Sequence, residues 1–137
     1  MKTVSGLDEL LKNMQPKMAK TRYFMASVGE GELMALSGYL EYIICIYREK
    51  EGLTVVFEEG IKEDIAGMTE KMVGPFALIT LNVYSDLMAV GFLARITDAL
   101  AKEKISVNAF SAYHHDHLLV PWERKEDALK ALEKLGK

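Results

Sequence analysis

A single cysteine, Cys45, excludes an internal disulfide and any cysteine-based zinc pattern in this chain of 137 residues. Its neighbours Ile43, Ile44 and Ile46 place it in an apolar run, so it is expected as core packing within a strand rather than as a reactive thiol. No apolar stretch approaches the roughly 18 residues needed to cross a bilayer, and residues 1–6 lead into Asp8 and Glu9 rather than an apolar signal core. The chain is therefore expected in the cytoplasm. Neither charge is in large excess: seventeen basic and twenty acidic residues leave a formal charge of -3, spread along the sequence. That balance gives no electrostatic footprint for a nucleic acid or a membrane surface. There is also no glycine-rich phosphate loop and no nucleophile elbow, and paired carboxylates such as Glu58-Glu59 and Glu63-Asp64 fall on segments expected to be solvated. No enzymatic activity and no cofactor are expected.

Half of the residues are apolar, enough for one ordinary domain or two very small ones that share a core. Leu7, Leu10, Leu11 and Met14 recur at helical spacing after Ser5 and Asp8, which resemble a capping box, and Pro16 stops that helix. Residues 21–28 read as a strand ending at Gly29-Glu30-Gly31. Residues 41–48 and 53–57 read as a hairpin around Glu49-Lys50-Glu51-Gly52, with only a short glycine-bearing connection, 29–40, before it. Residues 58–69 support a short helix, and Gly74-Pro75 marks a domain boundary. Beyond it, 76–84 is a covered strand. A helix over 87–103 carries Val90, Leu93, Ala94, Thr97, Leu100 and Ala101 on one stripe. A second hairpin follows over 105–113 and 118–120, and 125–135 forms a last helix ending at Gly136. Each half, 1–73 and 74–137, thus shows strand, connection, hairpin, helix, with three strands apiece. The halves complete one another, or a second chain supplies an edge as a homodimer.

Gly91-Phe92-Leu93-Ala94-Arg95-Ile96 followed by Ile105-Ser106-Val107-Asn108 resembles the ACT domain, a ferredoxin-like regulatory module. Met88 and Val90 stand where that family usually has Asp and Pro. Ser85-Asp86-Leu87-Met88-Ala89-Val90-Gly91 and Ser111-Ala112-Tyr113-His114-His115-Asp116-His117 resemble, more closely, a small group of tandem-ACT bacterial and archaeal proteins. The ACT units of cytosolic arginine sensors are similar more distantly. The resemblance implies an α+β fold of two ferredoxin-like units, a degenerate one over 1–73 and an ACT domain over 74–137. It also implies amino-acid binding.

Two readings then compete at the start of the second helix. Ser85 or Asp86 can serve as a bare cap for the first helical turn. Alternatively, backbone N–H groups around Leu87, Met88, Ala89, Val90 and Gly91 receive an α-carboxylate while Asp86 pairs with the α-ammonium, and Asn108 contacts the ligand or fixes the loop. His114, His115, Asp116 and His117 are read first as turn chemistry, since neighbours on a strand point to opposite faces; a metal site or an intersubunit or catalytic role is secondary. The function expected is a ligand-binding regulatory protein acting through oligomerisation or a partner. The alternative is an ACT-like interaction module without a pocket.

Overall fold

The computed structural model describes residues 6–83 and 86–137. In chain order the elements are α1 (Leu7–Asn13), β1 (Pro16–Met18), β2 (Tyr23–Val28), α2 (Leu33–Leu36), β3 (Ile43–Glu49), β4 (Gly52–Glu58), α3 (Lys62–Ala66), β5 (Met72–Leu81), α4 (Phe92–Lys102), β6 (Asn108–Ser111), β7 (Asp116–Pro121) and α5 (Lys125–Leu135). They form two compact units, one of Thr21–Phe76 and one that joins the residues up to Lys20 with Ala77–Lys137. This differs from a division at residue 73. The first twenty residues side with the C-terminal segment, and Gly74-Pro75 lies inside β5, whose first half serves one unit and second half the other.

In the Thr21–Phe76 unit the strand order is β3-β4-β2-β5. β2 pairs antiparallel with β4 from Tyr23↔Glu58 to Val28↔Leu53, and β3 and β4 form the expected hairpin. Alternate residues Phe24, Ala26 and Val28 on β2, with Leu53, Val55 and Phe57 on β4, fill one face, as the two-residue period of a strand requires. Leu36 and Ile65 cover them from α2 and α3. The connection before the hairpin is not plain: 3-10 turns at Glu30–Glu32 and Ser37–Tyr42 flank α2. It escapes a periodicity reading because only Leu36 in it is buried. Cys45 is half-buried rather than a core residue, because β3 is the last strand in the order and Ile44 beside it is 45% exposed. Burial still pushes its thiol pKa upward, away from the reactive thiolate.

Gly74 shows why β5 tolerates a glycine in mid-strand. Its φ is +145°, and a Cβ there would stand 2.5 Å from Cδ2 of the Phe24 ring. The backbone comes this close to an aromatic core residue only where no side chain intervenes.

In the other unit the order is β1-β5-β7-β6. β1, absent from the sequence expectation, pairs with the end of β5 through Pro16↔Leu81 and Met18↔Ile79. Pro16 therefore both ends α1 and opens a strand, where its missing N–H is tolerated. Numbered by their place in the motif, both units carry the order fourth, first, third, second, which is the antiparallel ferredoxin-like arrangement with helices after the first and third strands. One unit takes its fourth strand from β5; the other takes it from β1. The core of the latter gathers Leu10, Leu11 and Met14, Ile79 and Leu81, Ile96 and Leu100, Leu118 and Val120, and Leu132.

Helix α5 runs as expected and Gly136 follows it; its buried residues are Ala128, Ala131 and Leu132. Helix α4 begins five residues later than expected, and its buried stripe is Phe92, Ile96 and Leu100, at i, i+4 and i+8. Ala94 and Ala101 of the expected stripe are exposed. Strand β6 is also shorter than expected. Ile105 instead closes the end of α4, its N–H donating to the Leu100 carbonyl at 3.0 Å. The capping box involving Ser5 lies outside the described residues.

Candidate functional site

Residues 86–91 connect β5 to α4, and their conformation is set by Asp86. Its carboxylate accepts the Met88 N–H at 2.8 Å, and its backbone carbonyl accepts the Ala89 N–H at 2.9 Å. This is an Asx-type turn, closed by Gly91 at φ +91° as the N-cap of α4. The structure therefore corrects the expectation that N–H groups from Met88 onward belong to the first helical turn. The Met88 and Ala89 N–H groups are used inside the loop, and the first helical bond runs from Arg95 N–H to the Gly91 carbonyl at 3.1 Å. The N–H groups of Phe92, Leu93 and Ala94 are the ones without intrahelical partners. No side-chain hydrogen bond caps α4.

Across from this loop stands the end of the β6–β7 hairpin. Ser111 is the register partner of Asp116, and Ala112 N–H donates to the His115 carbonyl at 3.0 Å. The Ser111 hydroxyl donates to the Asp116 carboxylate at 2.6 Å. Asp116 is only 8% exposed, although it is charged. Asp116 opens β7 rather than sitting in the turn, which corrects its reading as a turn residue. A cavity of about 180 Å³ lies between these two parts of the unit. Asp86, Leu87 and Ala89 line it from the loop, Phe92 and Leu93 from the first turn of α4, and Ser111 and Asp116 from the hairpin.

Of the residues singled out from sequence, Asp86, Leu87 and Ala89 reach this cavity. Met88 and Val90 do not: they are 84% and 86% exposed. Gly91 contributes its backbone turn and is not part of the lining. Asn108 stands at the far end of β6, opposite Leu119 and three residues from Ser111, about 10 Å along a strand, so it does not contact the cavity. Ser85 lies outside the described residues. Sequence reasoning missed Phe92, Leu93, Ser111 and Asp116 as lining. The available signal was Ser111 and Asp116 flanking a four-residue turn, which puts both on one face at the same rung.

The histidines beside Asp116 turn to other partners. His117 Nδ1 is 2.9 Å from the Thr80 hydroxyl, and His115 Nδ1 is 3.4 Å from the Val83 carbonyl. The His117 pKa is lowered by burial and then by His115, with Asp116 opposing. His114 packs edge-on against Tyr113, ring centroids 5.0 Å apart. Among the described residues no three His, Cys, Asp or Glu side chains are arranged to hold a metal ion.

Comparison with known proteins adds a family to this geometry. Two family models, each described as an ACT domain, match residues 2–63 and 75–134. A Vibrio cholerae structure, titled a protein of unknown function and a possible transport protein, is 38% identical over 96% of both chains, with a TM-score of 0.78. Aspartate kinase from Clostridium acetobutylicum is 14% identical with a TM-score of 0.72, covering 100% of this chain but 37% of the enzyme. The regulatory subunit of aspartate kinase from Thermus thermophilus is 12% identical over 92% of this chain and 99% of its own, with a TM-score of 0.69. No curated protein matches the sequence.

Proposed function

Since the chain belongs to the ACT-domain family, we propose that it is a cytoplasmic regulatory protein that binds an amino acid in the cavity beside α4 and catalyses no reaction itself. The observation that carries this reading is the meeting of carboxylate, hydroxyl and apolar side chains on one small cavity at a helix N-terminus. Asp86 meets the ligand's α-ammonium, the N–H groups of the first turn of α4 meet its α-carboxylate, and Leu87, Phe92 and Leu93 take its side chain. Output passes through a partner or through association of chains, and requires that the ligand bind one state more tightly than the other. The likeness of the fold to the regulatory subunit of an aspartate kinase supports a regulatory role.

The test is a thermal-shift screen of the twenty amino acids on the purified protein and on Asp86→Ala. Ligand at about a hundred times its dissociation constant adds about 2.7 kcal/mol, which moves the midpoint of a small domain by several degrees. A selective shift that is lost in Asp86→Ala is the expected result. A cooperative melt that no amino acid shifts overturns the reading.

One observation favours an alternative. Met88, Val90 and Tyr113 present large apolar side chains to solvent around the same loop and hairpin, as an interaction module without a ligand would. Under that reading, Met88→Ser with Val90→Ser abolishes association with a partner, and no amino acid shifts the melting midpoint of the native chain.

A further inference from the structure

Loop 86–91 has little packing of its own. Leu87, Met88 and Val90 are exposed, and Ala89 is the loop side chain that packs against the core of its unit. Such a segment opens at low free energy unless a neighbour holds it. The neighbour is the arm formed by α1 and β1, which meets both ends of the loop. At the leading end, Pro16, Lys17 and Met18 pair with Leu81, Thr80 and Ile79, the last stretch of β5. At the closing end, Leu7 lies against Gly91: a Cβ built on that glycine would stand 3.8 Å from Leu7 Cδ2. Leu10 and Leu11, one turn further along α1, share a core with Phe92 and Ile96 of α4. Phe92 thus belongs both to the cavity lining and to the core that α1 helps to build.

The arm is itself marginal. At seven residues α1 is far shorter than the roughly 12–15 that hold together alone in water, and no side-chain hydrogen bond caps its start. Strand β1 is three residues long, and Pro16 brings no N–H to the ladder. Burial of Leu10, Leu11 and Met14 is what keeps the arm in place. None of its described residues lines the cavity. From this arrangement we infer that the arm regulates the cavity without touching the ligand, with Leu7 as the positioning residue that fixes the Gly91 turn, so that docking of α1 and occupancy of the cavity favour one another. The inference rests on the reading of the cavity as an amino-acid site. With Leu7 in place, Gly91 is held at φ +91° and the N–H groups of Phe92, Leu93 and Ala94 stay aimed at the ligand's carboxylate. With α1 loosened, the first turn of α4 frays and those donors scatter. Linkage makes the effect reciprocal, so a ligand that needs the ordered turn also tightens α1. Anything that draws on α1 then changes the affinity of a site it does not reach.

Leu7→Ala in the full chain, titrated with each of the twenty amino acids in turn, tests the inference, with Leu135→Ala as the matched control. Leu135 is likewise a partly buried leucine packed against the same core, but it comes from α5 and is not the side chain beside Gly91. For each amino acid that the native chain binds, Leu7→Ala is expected to bind about tenfold more weakly, within the usual range of coupling between sites. Leu135→Ala is expected to stay within about twofold of the native affinity, since it lowers stability without disturbing the turn. Leu7→Met refills the contact and is expected to recover most of the loss. Hydrogen exchange on the native chain gives a reading that needs no variant: a bound amino acid is expected to slow exchange at the amides of Leu7–Asn13 together with those of 92–94. Unchanged exchange in α1 on binding, or a loss in Leu7→Ala no larger than in Leu135→Ala, overturns the arm's role while the sensor reading stands. If none of the twenty amino acids binds, the sensor reading fails and takes this inference with it.

Discussion

His117 is held between opposed influences, burial and His115 lowering its pKa and Asp116 raising it, with the lowering dominant. A histidine whose folded pKa falls below the ordinary value of 6.5 leaves the unfolded chain binding more protons in the interval between the two. Stability therefore rises with pH through that interval. It is fully present above 6.5 and is lost as pH falls from 6.5 toward the folded value. Urea midpoints at pH 7.5 and 5.5 should accordingly separate more in the native chain than in His117→Gln, and equal separations would remove His117 from the account. Asp86 was legible in the sequence because a carboxylate two residues before a helix-associated turn has a known local use. Asp116 was not, since its value lies in the pairing with Ser111 across a turn and in burial, and neither is carried by residue type.

At the scale of elements, long periodic segments announced themselves and short ones did not. Helix α5 and the β3–β4 hairpin follow from the apolar pattern and from Gly52. Strand β1 is three residues long and gains its place only through pairing with β5, so no local pattern could reveal it. Helix α4 was drawn too early because Val90 and Ala94 continue a helical period on paper, whereas the positive φ of Gly91 sets the start at Phe92. Strand β5 misled most, since Gly74-Pro75 reads as a break and is a close approach. The same geometry gives a prediction: Gly74→Ala must adopt a φ of +145° and displace the Phe24 ring. It should cost about 1–3 kcal/mol, read as a lower urea midpoint. An unchanged midpoint would show that β5 shifts to accommodate the methyl group.

For the molecule as a whole, the two ferredoxin-like units and the ACT family agree with what the motifs around Gly91 implied. Strand order was less accessible, because it depends on partners far apart in the chain. Among the described residues β3 and β6 end the order of strands, and Ile44 and Tyr47 on β3 are exposed. Such edges favour pairing with another chain. Sedimentation equilibrium is therefore expected to give twice the mass of one chain, and Ile44→Lys with Tyr47→Lys to return it to the monomer value; a native monomer at all concentrations would refute this.

The placement of β1 also fixes an order of events during synthesis. The segment Thr21–Phe76 is contiguous and has all its strands once Phe76 has been added, whereas Pro16–Met18 leave the ribosome early and must wait for Ile79–Leu81, with the whole intervening unit made between them. The earliest strand of the chain is thus a latecomer to its sheet. The cavity-bearing unit gathers its core only after Ala128 and Leu132 of α5 have followed Ile79 and Leu81 out of the ribosome.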